Sequence, residues 1–370
     1  MRIQRVGLVV CVVLAGACSS KQSAPDAGAG GTNGGGLGGS GTTDGGPGGA
    51  ATNGGAGGGA GAGVASPGGA GGGPSIPTVD GGTSTTLAMG APADIAVDGT
   101  YVYWTDPTAK TVMKVPKSGG DAIALASNQE IGPGLAVDTT YVYWTTTEGA
   151  VMKARIDGGT PIIVASDQRK PHSLAISLGN LYWANAGANS VGTGSVMRAS
   201  FATGDVATLA ANRDGVGALV VDATSVYWIE NGEGPGAILR MPLAGGTVES
   251  LGITSQGSWP ILNTLAVGSN TLSWSVYVQP NGGYRLMERA IGAAPETTLL
   301  TGSHAFAPLL ADGLVLYTAE GHTIVRIPVS VGTVVAVPTE GTPTHFAVWI
   351  NDPRIYFSTA ESAVMAIGKP

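Results

Sequence analysis

Three histidines and one carboxylate fall at related places in this chain. His172, His304 and His345 each stand just before a short apolar segment, and Asp94 holds the matching place before an earlier one. Imidazole and carboxylate groups facing one cavity can do acid–base work, and sets of three or four can hold a divalent metal. The spacing counts against a metal site, because none of them forms a His-x-x-His pair. His322 lies in a short loop of its own. There is no Gly-x-Ser-x-Gly elbow, no phosphate-binding loop and no cysteine after Cys18, the chain's two cysteines being Cys11 and Cys18. The glycine strings before Gly82 are not nucleotide fingers, since no strand precedes them and no helix follows.

A second set suits binding. Trp259 lies in a loop, and Tyr277 follows in a longer one with Gln279 and Asn281 beside it. A flat aromatic with neighbouring amides suits a sugar ring or a peptide segment. The competing reading makes Trp259 a cap on the core beneath its loop.

What must position both sets is a repeat. Asp94–Asp106 reads D-I-A-V-D-G-T-Y-V-Y-W-T-D, and Gly134–Thr146 reads G-L-A-V-D-T-T-Y-V-Y-W-T-T. The aromatic ending this phrase recurs as Trp104, Trp144, Trp183, Trp228, Trp274, Tyr317 and Phe357. A period of about 40–45 residues with several short strands in each unit predicts a β-propeller. In each repeat an apolar strand leads through an Asp-, Gly- or Asn-rich turn into the aromatic strand. An apolar-Met-basic strand and a glycine turn come next, and a fourth strand closes the unit. The seventh repeat stops after three strands, and Thr85–Ala88 reads like a fourth. The expectation is an all-β, seven-bladed propeller whose N-terminal strand completes the last blade, leaving no open sheet edge. Its domains are a signal at 1–17, a lipidated cysteine with a disordered linker at 18–82, and the propeller at 83–370.

The phrase Tyr103-Trp104-Thr105-Asp106, the apolar-Met-basic strand and turns such as Ile156-Asp157-Gly158-Gly159 resemble the YWTD propellers of the low-density-lipoprotein receptor family. The resemblance covers Thr83–Pro370 and implies a shared scaffold. It departs where Thr146, Asn185 and Glu230 replace the aspartate, and in a count of seven blades against that family's six. The family's ligands do not carry over.

Residue types that recur at one phase of every repeat mark scaffold. The tryptophan should pack between blades. The basic residue of the third strand (Lys114, Lys153, Arg198, Arg240, Arg326) should lie over an aromatic or pair with a turn aspartate. Function is expected where the repeats differ. Loops from the second to the third strand are long in blade three (Ala184–Gly194), blade four (Glu230–Gly236) and blade five (Ser275–Gly283). They share one face with the loops that enter each blade. The candidate ligand-binding residues are therefore Trp259, Tyr277, Gln279, Asn281, Asp94, His172 and His345.

Outside the repeats, Arg2 and Arg5 precede a short apolar run ending in Ala15-Gly16-Ala17-Cys18, a secretion signal too short to span a membrane. The small residues before Cys18 resemble the lipobox of bacterial lipoproteins. That resemblance implies lipidation of Cys18, and Ser19 in second place is similar to cargo sent to the outer membrane. A plain signal peptide with an incidental cysteine is the alternative. About half of the segment from Gly28 to Gly82 is glycine, too little apolar surface for a fold. As a coil it reaches roughly 40 Å. The formal charge of −7 and the lack of any basic run speak against a nucleic-acid partner.

The sequence thus predicts a monomeric binding or interaction module, held on the membrane by its lipid, with a protein or glycan ligand and no cofactor or metal. A propeller lyase or hydrolase using the channel-mouth histidines is the alternative, and a purely structural envelope protein is the third reading.

Overall fold

The computed structural model describes residues 82–370, apart from 188–190, 233–234, 253–260, 279–282, 294, 303–305, 314, 329–332, 350–351 and 370. The signal, Cys18 and the glycine-rich segment lie outside the described residues, as do Trp259, Gln279, Asn281 and His304.

Seven four-stranded antiparallel sheets make up the described chain. Blade one runs Asp94–Val97, Tyr101–Asp106, Thr111–Pro116 and Ile123–Ser127. The first strand of each blade packs against that of the next, through blade seven and back to blade one. The ring is closed by Thr85–Met89, which pairs antiparallel with the final strand Ala363–Gly368, Thr85 opposite Ala366 and Met89 opposite Ala363. The expected seven blades and borrowed strand are both present. Several first strands begin three or four residues ahead of their apolar core, as at Ile131 and Ile261, and the fourth strand of blade four shrinks to Glu249–Ser250.

The turn aspartate explains why the phrase recurs. Oδ1 of Asp98 accepts the backbone N–H groups of Thr100 and Tyr101, each at 2.7 Å, and Oδ2 accepts the Tyr103 hydroxyl at 2.7 Å. One carboxylate therefore fixes both the turn and the strand that follows. Asp138 with Tyr143 and Asp222 with Tyr227 repeat the arrangement. The tryptophans fill the seams. Trp104 lies in one cluster with Ala347, Tyr356 and Val364 of blade seven, and Trp228 lies with Ala175, Tyr182 and Ala184 of blade three.

The third-strand cations are scaffold as well. Lys114 lies 4.3 Å over the Tyr101 ring and Lys153 lies 4.6 Å over Tyr141. Lys114 and Arg198 bond carbonyls of the next blade, while Arg240 pairs with Glu249 on the fourth strand of its own blade rather than with a turn aspartate. Lys114 Nζ donates to Ile156 O at 2.6 Å, and Arg198 donates to Leu243 O.

Candidate functional site: a polar cleft on blade three

Blade three consists of Pro171–Ser177, Asn180–Asn185, Gly194–Ser200 and Val206–Arg213. A cleft of ≈ 360 Å³ opens on its loop face. The loop entering the blade (Asp167, Gln168, Arg169) forms one wall. The end of the second strand (Asn185) and the return of the long loop (Gly192–Ser195) form another. Met197, Thr208, Ala211 and Asn212 complete the lining.

Local backbone chemistry shapes these walls. Asp167 and Asn212 both sit in the left-handed region, at φ 59° and 55°, which short polar side chains tolerate best after glycine. At Gly194 a Cβ would stand 2.9 Å from the Arg213 carbonyl and 2.9 Å from Val216. Only glycine lets the long loop re-enter the sheet there. The Gly192 amide, at φ 73°, donates to Asp214 Oδ1.

One chain of hydrogen bonds sets the polar groups. Trp183 Nε1 donates to Gln168 Oε1 at 3.1 Å, and Asn185 Nδ2 donates to the same oxygen at 2.9 Å. Gln168 Nε2 donates to Ser166 O at 2.8 Å, and Asn185 Nδ2 also reaches Ser195 Oγ at 3.0 Å. An indole N–H can only donate, so Gln168 must present its oxygen. Asn185 must then present its nitrogen, which sends its Oδ1 the other way. That oxygen is buried without a donor, in a residue only 5% exposed. A buried acceptor left unmatched costs about 1–3 kcal/mol.

Blade four carries the charged version of the same triad. Arg213 follows Asn212 as Gln168 follows Asp167, and Glu230 stands two residues after Trp228 as Asn185 does after Trp183. Arg213 makes paired bonds to Glu230 at 2.6 and 2.9 Å, and Trp228 Nε1 donates to Glu230 at 2.7 Å. In blades two and seven the equivalent of Asn185 caps its own loop, and in blade one Asp106 does so while its Oδ2 also takes the Ala91 amide of the entering loop at 2.9 Å. Asp106 Oδ1 takes the Ala109 amide, Thr146 Oγ1 takes that of Ala150, and Thr359 Oγ1 takes that of Ala363. Among the described residues, the buried indole nitrogens of Trp104, Trp144 and Trp274 have no partner. Indole N–H satisfaction thus marks blades three and four.

Asp94, His172 and His345 share a register position. Each stands opposite the residue after the strand-two aromatic: Thr105, Ala184 and Ser358. A bulge brings His172 there, with Ser173 at φ 55° absorbing the extra residue, whereas His345 pairs in regular register and the blade-seven bulge falls before it, at Thr344. They lie within first strands rather than before them. Both ring nitrogens of His172 face carbonyls, of Lys170 and Gly217, each at 3.1 Å, and burial lowers its pKa. His345 Nδ1 faces Ser358 Oγ at 3.1 Å, and desolvation draws its pKa down to about 4. Asp94 is 2% exposed. Its Oδ1 takes the Ile95 amide and its Oδ2 has no partner. Desolvation pushes it up to about 8, against the pull of the Ile95 and Leu135 amides. Among the described residues, no group of three His, Cys, Asp or Glu is placed to hold a metal.

Tyr277 is in a strand, not a loop. The blade-five hairpin extends through Val278, and Tyr277 pairs with Tyr284, ring centroids 5.0 Å apart. The cross-strand aromatic pair lengthens the sheet at the expense of the loop.

No protein-family model and no curated protein matches this chain. Solved structures match throughout the propeller. Virginiamycin B lyase of Staphylococcus aureus, a catalytically inactive variant with quinupristin, gives a TM-score of 0.61 at 13% identity, covering 78% of this chain and 99% of that one. The Pan2 WD40 domain of Neurospora crassa gives 0.60 at 10%, covering 80% and 98%. YCF48 bound to a D1 peptide gives 0.61 at 11%, covering 80% and 100%. At such identities they share the fold alone, which here serves both an enzyme and a peptide-binding protein.

Sequence reasoning missed Gln168, Arg169, Asn185 and Ser195. Its pointers were the long blade-three loop Ala184–Gly194, whose return lines the cleft, and Asn185 itself, where the repeated phrase gives up its aspartate or threonine.

Proposed function

We propose that this protein is a lipid-anchored, extracytoplasmic binding module that takes a glycan or peptide on the loop face of its propeller. The observation that carries this reading is the blade-three cleft, whose walls hold a fixed acceptor, Asn185 Oδ1, without a donor. Trp259, Tyr277, Gln279 and Asn281 stay in the reading as candidate ligand contacts, with Asp94, His172 and His345 as its channel end. Cys18 supplies the lipid and the glycine-rich segment the tether, placing a monomeric propeller off the outer membrane. The YWTD resemblance accounts for the scaffold.

A glycan and peptide array probed with the parent and with Asn185→Ala tests the site. Ligands of the parent should be lost by the variant, and equal binding by both removes the cleft from the account. Cys18→Ala should move the protein from the membrane to the soluble fraction. Retention on the membrane would refute the anchor.

The second reading, an enzyme, is favoured by Asp94. A carboxyl that stays protonated near neutral pH can serve as a general acid. Asp94→Asn should then abolish turnover of a ligand that the parent converts, and unchanged turnover would remove this reading.

A further inference from the structure

Resting on the binding reading above, we infer that the unit seated in the blade-three cleft is a carboxylate-bearing sugar, a hexuronate. The cleft volume of ≈ 360 Å³ is near the lower end of the roughly 300–1,000 Å³ of small-molecule sites, room for one or two sugar rings. Apart from Met197 and Ala211 the lining side chains are polar. Such a lining matches a sugar, which offers a hydroxyl in nearly every direction. Asn185 Oδ1, its orientation set by Trp183 through Gln168, calls for a donor. The oxygen is itself buried, so a ring hydroxyl, or a water that it holds, supplies one only when the cleft lining shifts to admit it. Asp167, exposed on the opposite wall, is a second acceptor.

The carboxylate follows from Arg169. It is exposed, lines the cleft and has no ion pair among the described residues. This is a chain with 18 basic against 25 acidic residues, where cations readily find partners. At the equivalent place blade four has Asp214, which is used internally on Gly192. A free guanidinium beside hydroxyl-seeking acceptors matches a planar carboxylate on a sugar.

Blade four also supplies the closing experiment. Installing its triad, Gln168→Arg with Asn185→Glu, should fill the cleft with an ion pair and keep the indole bond. The full chain is titrated with D-glucuronate and with D-glucose at low salt by ligand-observed NMR. Glucuronate should bind at least tenfold more tightly than glucose. Arg169→Gln should bring it to the glucose level, and the double variant should bind neither. Equal binding of the two sugars, or an unchanged Arg169→Gln, overturns the hexuronate assignment and leaves the cleft standing. Undetectable binding of both sugars by the parent also overturns the assignment. Full binding by a folded double variant overturns the cleft itself. Arg169→Gln, an exposed change, carries the test alone if the double variant does not fold.

Discussion

Trp183 Nε1 donates to Gln168 Oε1 at 3.1 Å, and this one bond settles the orientation of two amides. The tryptophan serves the scaffold in every blade that has it, but here its polar edge holds Gln168, a residue that lines the cleft. Trp183→Phe removes the donor and frees the Gln168 amide to turn. The expected outcome is a modest stability loss of about 1–3 kcal/mol in denaturant unfolding, with a clear loss of ligand affinity. Stability loss with unchanged affinity would confine the bond to the scaffold.

Ring closure rests on pairing between the two ends of the domain. Deleting Thr83–Met89 removes the outer strand of blade seven and should lower the midpoint of the whole unfolding transition, rather than fray one end. An unchanged melting temperature would contradict the closure.

The same join carries a buried ion pair. Lys117 Nζ lies 2.8 Å from Asp352 Oδ2, with side chains 6% and 9% exposed. Desolvation lowers the lysine's pKa. It also pushes the aspartate up, but hydrogen bonds from Lys117, Tyr356 and the Arg354 amide outweigh this and hold it below its usual value. Asp352→Ala strands the lysine and should cost about 3–5 kcal/mol, measured by denaturant unfolding. Replacing both partners with apolar residues should cost far less.

Stability should peak between mildly acid and neutral pH. His345 is held near 4 in the fold against 6.5 unfolded, so the unfolded chain binds more protons between those values. Stability is lost there as pH falls, and His172, lowered likewise, adds to the loss. Asp94 has the opposite sign. Held near 8 against 3.8 unfolded, it binds its proton more tightly in the fold, and stability is lost as pH rises through that interval. Thermal melts across pH should show the alkaline limb flattened by Asp94→Asn and the acid limb flattened by His345→Gln.

The fold was legible because the repeat carries its own physics. An aspartate that satisfies its turn and a tyrosine five residues on, as Asp98 does with Tyr103, writes the same phrase into successive blades. The candidate site was less legible. Gln168 and Asn185 lie 17 residues apart and meet only because one blade's exit loop reaches over the next blade. Nor does the sequence foretell that the Tyr277–Tyr284 pair turns a loop into strand, or that a left-handed Ser173 shifts His172 into register with Asp94. Regular positions reveal themselves one residue at a time, whereas a site made by the departures needs the register between blades.

The most direct test watches the cleft floor. Met197 lines it and is one of eight methionines in the chain, so a methyl-labelled sample gives few signals. During titration with D-glucuronate the Met197 methyl resonance should shift saturably, and that shift should vanish in the Gln168→Arg, Asn185→Glu variant. A saturable shift at Met113 or Met365, in blades one and seven, with Met197 unmoved would place the ligand elsewhere and contradict the account.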